Sequence, residues 1–446
     1  MTLLAHVAPT PLLLFYIYEW PASVVNSWPT GFTFTKRLSL ERHFETNHAV
    51  GRRVNERNGF YHTHQYSLFR TFLGRLRESA LRTRDPSKAS LFFVPYDAGM
   101  DATTRSSDGA FARTRCPRGP EASRLLSNST YFQRNEGRDH VMLHSINQMM
   151  LFHMEAECRR FYQLCFHCTK LGIDVYSPST YRELKGMREM SHRWISIPFP
   201  SNYHRDTSSS SLSDSELKDR RWYHLAYIGS DRVTARRQKE LRIALRQECY
   251  RSSSPFTMAR PRPPRPSPTR RGEGEDARSD CLYVDMASHD SMAVGMFHFL
   301  PSDDRAYTQT PFSVVNPYSI ASLCLMPGGD FPSRKGFLDA MLVGCVPVLF
   351  QESTAITQWP WHWGTTDMAR SCTVLVAHTD FLRDAKGTFQ WLLSLAQNSS
   401  LLESKRQCMR RVSSRMQYRL PGAAPSGEVD AVDVVLARLL HEDYNK

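Results

Sequence analysis

"PGGDFPSRKGFLDAMLVGCVPVLF", residues 327–350, runs from a glycine turn through two adjacent cations and a short amphipathic stretch with one acid to a wholly apolar strand. That order reads as the end of one buried strand, a tight loop, a helix beginning near Arg334 and a second buried strand. In open parallel sheets, ligands gather beyond the carboxyl ends of the strands, where such a loop lies. A helix N-terminus there offers free N–H groups and a partial positive charge, and both stabilise an anion. Gly328 and Gly329 permit close backbone approach, Arg334 offers a two-pronged grip on phosphate, and Lys335 adds a point charge. Asp339 stands about 7 Å from Arg334 along the helix axis. It has two readings: an acceptor for ribose hydroxyls, or an i,i+4 partner of Lys335. The bland alternative for the whole trio is a solvated loop. The segment is no Walker loop, and no GxGxxG precedes it.

Working outward, strands and helices alternate on both sides. The N-terminal half predicts strands at 13–18, 90–94 and 137–145, then in "LGIDVYSP" and "WISIPFP", with a helix within 61–81 and a polar loop over 101–130. The C-terminal half predicts strands at 223–229, 321–327, 345–350 and 372–377, with helices at 234–248, 386–397 and 428–441. Such alternation implies parallel sheets with crossover helices. The Ser-rich stretch 201–219 between the two series places a domain boundary near residue 220. The fold class is therefore α/β, with two Rossmann-like domains, 1–219 and 220–446, facing a cleft. Residues 251–280 hold six prolines, seven arginines and almost nothing apolar, so they read as a disordered insertion, or as a basic PxxP ligand.

A chain of 446 residues, 41% hydrophobic, has material for two such cores. Lys and Arg number 57 against 44 acids, and most of the excess lies outside the insertion, which suits an anionic substrate or an acidic polymer. No RNA-recognition signature, finger spacing or basic heptad region is present, so no nucleic-acid partner is expected. Nor is there a run of the roughly 18–20 apolar residues that a membrane span needs. The apolar stretch 12–21 reads as a first strand rather than a signal peptide; it begins so close to Met1 that any leader would have to lie upstream of this sequence.

Ten cysteines are scattered, and only Cys165 and Cys168 form a CxxC. His153, Cys158 and His167 lie nearby and allow a zinc site, but with no second pair at ribbon spacing the pattern favours buried thiols or a lumenal disulfide. Sequons at Asn128 and Asn398 lean toward a secretory compartment. No Asp-x-Asp pair occurs, so no metal is expected to be required; Arg334, Lys335 and Arg236 are the cations available to neutralise a leaving diphosphate.

At this point the residues resemble a known family. "SLCLMPGGDFPSRKGFLDAMLVGCVPVLF" is similar to the donor-site segment of the exostosin-like glycosyltransferases, and "ESTAITQWPWHWG" (352–364) continues the likeness in the manner of the plant xyloglucan galactosyltransferase subgroup. Upstream, "IYEWP", "NGFYHTHQYSLFRTFLGRL", "DPSKASLFFVPYDAGMD", "GRDH", "ISIPFPSNYH" and "HLAYIGSDRVTARRQKELRIALRQEC" follow in the family's order. The resemblance implies a GT-B fold and transfer from a nucleotide sugar with inversion, UDP-galactose being the favoured donor. It assigns donor binding to the C-terminal domain, through Arg236, Gly328, Gly329, Ser333, Arg334, Lys335 and Asp339, and the glycan acceptor to the N-terminal domain. It also implies a lumenal Golgi enzyme, membrane-associated through an anchor not visible in this sequence, with other glycosyltransferase subunits as candidate partners.

Inversion in one step needs a base for the acceptor hydroxyl. Asp97, Asp101, Asp139 and His140 are the candidates near strand ends. Asp101 and Asp139 rank first because both lie in matched blocks. The structural alternatives are an ion pair of Asp139 with Arg138 and a core role for His140. Two features depart from the family pattern: Asp97, where the subgroup is aromatic, and the insertion at 251–280. The rival function is a catalytically silent glycan-binding or scaffolding paralogue of the same fold.

Overall fold

The computed structural model describes residues 13–26, 45, 49–51, 53–55, 59–61, 63, 66–102, 116–148, 154–176, 192–204, 221–229, 236–252, 279–285, 318–329, 331, 333–420, 422 and 428–441. Its strands are β1 (Leu14–Ile17), β2 (Arg53–Asn55), β3 (Phe60–Tyr61), β4 (Arg82–Thr83), β5 (Ala89–Val94), β6 (His140–His144), β7 (Thr169–Gly172), β8 (Trp194–Ser196), β9 (Tyr223–Gly229), β10 (Ser279–Asp285), β11 (Ala321–Met326), β12 (Val346–Leu349) and β13 (Val374–Leu375).

Two parallel sheets result. The first has six strands in the order β4-β1-β5-β6-β7-β8, and the second five, in the order β10-β9-β11-β12-β13. β2 and β3 pair antiparallel as a small separate ribbon. Helices cover both faces of a parallel sheet, which is why β9, β11 and β12 are buried along their whole length and read as continuous apolar runs. The first sheet takes its strands from residues up to Ser196 and the second from Tyr223 onward. Residues 205–220 themselves lie outside the described residues.

The sheets present their carboxyl edges to each other. After β7, Val175 exchanges two hydrogen bonds of 2.9 Å with the Gln358 side chain. Trp359 is fully buried at the same junction: its N–H donates to Ser196 Oγ at 2.9 Å and its indole to Ile173 O at 3.3 Å. Its backbone is left-handed, φ 52°, a conformation that costs a bulky residue about 1–3 kcal/mol and persists because the surrounding contacts over-determine it. The subgroup-like segment 352–364 is thus a plug from the second half into the first. The last helix, Ala431–His441, also crosses back. It packs on β5 and the helix Leu68–Glu78, with Asp430 just ahead of it in a buried pair with Arg75 at 2.7 Å. The 220–446 stretch therefore does not stay on one side.

Several local expectations shift. The loop expected over 101–130 contains the helix Gly119–Ser127, opened by Pro120, whose Ala122 and Leu126 are buried. Arg251 and Ser252 finish the helix Arg236–Ser252, and Ser279 and Asp280 open β10, so the insertion is shorter at both ends than 251–280. Residues 253–278 lie outside the described residues, and a disulfide joins Cys249 to Cys281 across them.

Eight cysteines pair: Cys116–Cys158, Cys249–Cys281, Cys324–Cys345 and Cys372–Cys408. Cys158 is thereby withdrawn from the zinc reading. Cys165 and Cys168 remain buried thiols, and no cluster of three or more metal-ligating side chains occurs among the described residues. His153 lies outside them.

Candidate functional site

The loop 327–334 leaves the carboxyl end of β11 and enters the helix Lys335–Leu342, as its sequence predicts. Arg334 is the residue at the helix N-terminus, extended at φ −137°, ψ 125°. Its guanidinium folds back over Gly329: a Cβ added at 329 would collide with Nη1 of Arg334 and stand 3.3 Å from Nη2 of Arg242. Arg242, buried on the helix Arg236–Ser252, donates from Nε to the Gly328 carbonyl at 2.9 Å. A Cβ at 328 would meet Gln351 Nε2 at 2.6 Å and Gln238 Cδ at 2.8 Å, and those two amides bond each other at 2.9 Å. Both glycines are thus required by proximity, not by backbone dihedral.

Two further buried groups flank the start of the helix. Ser333 is 4% exposed, and its Oγ has no hydrogen-bond partner among the described residues. Such an orphan hydroxyl costs about 1–3 kcal/mol unless something binds it. Tyr318 is buried with its hydroxyl against Gly336 in the first helical turn, 2.8 Å from where a Cβ would be. Burial raises its pKa and Asp339 adds to the effect, while Arg334 and Arg242 oppose it. Two guanidinium groups therefore converge on a glycine loop that leads into a helix N-terminus, and the Ser333 hydroxyl is buried in the same connection. That is a donor set for a phosphate-type anion.

Lys335 and Asp339 are placed otherwise. The i,i+4 pair is what forms: Lys335 Nζ lies 3.2 Å from Asp339 Oδ2, and the acid is 1% exposed. Burial lowers the Lys335 pKa, with Asp339 opposing. Asp339 also accepts hydrogen bonds from Ser201 and Asn202 across the cleft, so its oxygens are already occupied where the ribose reading needs them open. Arg236 is not brought to the loop; its side chain is 92% exposed and pairs with Glu240 at 3.0 Å. Arg242, six residues on, takes the place expected of it. Arg242, Gln238, Gln351 and Tyr318 were missed from sequence. The available signal was an arginine aligned with Leu245 and Cys249 on the buried stripe of its helix.

Across the cleft, Asp97 follows β5 and caps the helix Ala98–Asp101, accepting from Met100 N at 3.1 Å and Ser145 N at 3.2 Å. Complete burial pushes its pKa up to about 6. Asp101 is equally enclosed, held by Arg118 Nη1 at 2.7 Å and Tyr96 Oη at 2.8 Å. Burial raises its pKa against those bonds. Asp139 and His140 stand at the opposite end of the sheet, because β6 begins at His140 and runs toward the cleft from there. Asp139 is buried against Asn135 at 2.6 Å, Arg134 at 3.1 Å and His140 Nδ1 at 2.7 Å. Burial works against its charge, but those partners outweigh it and hold the carboxyl below its usual range. His140 is buried, stacked on Phe92 and bonded to Tyr18 Oη at 2.7 Å; burial lowers its pKa. The core role weighed for His140 is the one observed. The ion partner of Asp139 is Arg134, while Arg138 pairs with Glu136.

The chain belongs to the exostosin GT47 family, whose domain profile matches residues 11–361. It is by class a glycosyltransferase. Among Arabidopsis thaliana proteins it is 24% identical to xyloglucan-specific galacturonosyltransferase 1 over 305 residues, covering 68% of this chain but only 38% of that protein. It is 22% identical to the probable xyloglucan galactosyltransferase GT19 over 404 residues, 88% of this chain and 82% of that one. Xyloglucan galactosyltransferase MUR3 is 24% identical over 342 residues, 73% of this chain and 46% of that protein. A solved α-glucosyltransferase in complex with UDP and a 13-mer DNA matches 81% of this chain and 92% of its own at 11% identity and a TM-score of 0.35.

Proposed function

We propose that this chain transfers a sugar, with galactose from UDP-galactose favoured, onto a polysaccharide or glycoprotein glycan, with inversion at the anomeric carbon. The observation that carries the reading is the convergence of Arg242 and Arg334 on Gly328 and Gly329, at the carboxyl edge of one sheet and facing a second. The acceptor hydroxyl oxygen would attack C1 as the bond from C1 to the diphosphate oxygen breaks, and the hydroxyl proton would pass to a base. Charge grows on the leaving diphosphate, and the two arginines are pre-placed to stabilise it there. The same cations support turnover without an added divalent ion. Galactosyltransferase and galacturonosyltransferase relatives support a hexosyl donor and a wall-type acceptor.

A lumenal setting is part of the proposal, a Golgi one by resemblance. It is supported by four disulfides, which persist in oxidising compartments, and by the exposure of Asn128 and Asn398. No helix among the described residues is long and apolar enough to cross a membrane.

The test is incubation with a panel of nucleotide sugars and wall oligosaccharides, with products read by mass, with and without a chelator. A product one hexose heavier than a xyloglucan acceptor, formed with UDP-galactose, supports the reading. UDP binding with neither transfer nor donor hydrolysis would favour the silent paralogue instead.

A further inference from the structure

Asp339 carries a second consequence, one that rests on the donor-site reading above. From the helix Lys335–Leu342 its Oδ1 accepts from Ser201 Oγ and from Asn202 N, each at 2.7 Å. Its Oδ2 accepts from Asn202 Nδ2 and from Lys335 Nζ, each at 3.2 Å. Ser201 and Asn202 belong to the other half, in the loop that follows β8. Asn202 then passes the connection on. Its Oδ1 accepts from Thr63 N at 3.1 Å and its carbonyl from Tyr61 N at 2.7 Å. Next to it, His204 N donates to Gly59 O at 2.9 Å. The packing at Gly59 leaves no room for a side chain, because a Cβ there would collide with the His204 carbonyl. A single hydrogen-bonded junction thus joins the donor-side helix, the loop 201–204 and the segment 59–63.

We propose that Asp339 is a positioning residue. It pins the helix that begins beside Arg334 to the acceptor-side half, and so sets the distance between the donor cations and the acceptor, without touching the nucleotide. A buried carboxylate needs several donors to be tolerated, and all four found here come from the protein. Lys335 is part of the same lock, one residue from Arg334. The lock therefore fixes the donor half, with its helix and arginine moving as one body, relative to the acceptor-side half.

The experiment compares Asp339→Asn, Asn202→Ala, Ser201→Ala and the Asp339→Asn/Asn202→Ala double variant. UDP affinity is read by calorimetry, kcat at saturating donor, and amide exchange at Tyr61 and Thr63. UDP titration interrogates the donor half alone, so the proposal expects UDP affinity to stay at the wild-type value. It expects kcat to fall about tenfold to a hundredfold in Asp339→Asn and Asn202→Ala, the scale for misplaced reactants. The double variant should be no worse than the worse single one. Exchange at Thr63 should rise in Asp339→Asn, although the substitution is on the opposite half. A tenfold loss of UDP affinity in Asp339→Asn, with kcat unaltered in Asn202→Ala, would overturn the proposal in favour of a ribose ligand. A lowered melting temperature with unchanged kcat in every variant would overturn it in favour of a merely structural role. The exchange arm needs no turnover. If wild-type protein neither binds UDP nor transfers sugar, the donor-site reading fails by itself, and unchanged exchange at Tyr61 and Thr63 would separately overturn the junction.

Discussion

The Arg334 guanidinium occupies the space in which a side chain at Gly329 would have to stand. The colliding atom is the end of a flexible side chain, and Gly329 needs no left-handed backbone, so alanine there would displace the arginine and leave the fold in place. Gly329 is buried and its Cβ would also stand 3.3 Å from Arg242 Nη2, so Gly329→Ala should cost about 1–3 kcal/mol of stability, as overpacking does, in a protein that still folds. It should raise the donor KM severalfold. A normal KM in a folded Gly329→Ala protein would show that the arginine's placement does not matter.

Ser333→Ala removes a buried hydroxyl that has no hydrogen-bond partner among the described residues. Deleting such a group relieves its desolvation cost, so thermal melting should hold or rise. A ligand that bonds the hydroxyl would lose about 1 kcal/mol of binding, or roughly fivefold in affinity. A melting temperature well below wild type, with UDP-sugar affinity intact, would assign the hydroxyl to the fold.

Replacing 253–278 with a short Gly-Ser linker should leave melting and donor binding nearly unchanged. The reason is local: Cys249 and Cys281 are joined, with Cα atoms 5.3 Å apart, so the helix Arg236–Ser252 and β10 are tied independently of what lies between them. A large loss of either property would mean the segment packs on the protein.

Three histidines are buried and held neutral, chiefly by burial: His144 and His362 are brought down to about 3 and His204 to about 4. The unfolded chain binds these protons near pH 6.5 and the native state does not. Their stabilisation is therefore present above 6.5 and is lost as pH falls toward 4. Asp97 and Asp174, raised to about 6 by burial, act in the opposite sense over much of that range. A single variant isolates one contributor. His362 donates to Ala431 O at 3.1 Å, and a glutamine amide can do the same without titrating. The stability of His362→Gln relative to wild type should improve on acidification from 6.5, by at most about 1.4 kcal/mol per pH unit. Parallel urea-unfolding profiles across that range would refute it.

The strands around the site were legible because parallel sheets covered on both faces write themselves as short apolar runs ended by Gly or Pro; Ala89–Val94, Tyr223–Gly229 and Ala321–Met326 all fall where the pattern put them. β10 escaped because it abuts the Pro- and Arg-rich stretch and carries its own charge at Asp280. Within the site, the glycines, Ser333 and Arg334 were readable from one contiguous segment. Arg242 and Tyr318 were not, since they reach the loop only through tertiary packing. Asp139 and His140 looked catalytic because a polar trio at a strand mouth says nothing about which mouth it is. The chain direction of β6 decides that, and it places them away from the facing edge. For Asp339, local spacing foresaw the Lys335 pair, but the bonds to Ser201 and Asn202 span 138 and 137 residues of sequence.

The central claim is that the loop 328–334 holds the donor diphosphate, and Arg334→Ala tests it most directly. The measurement is UDP-sugar turnover by this one variant, alongside its melting temperature. A preorganised cation facing developing charge is worth about 3–4 kcal/mol, so turnover should fall on the order of 100- to 1000-fold while melting stays close to wild type. A folded Arg334→Ala protein that turns over donor at the wild-type rate would contradict the account.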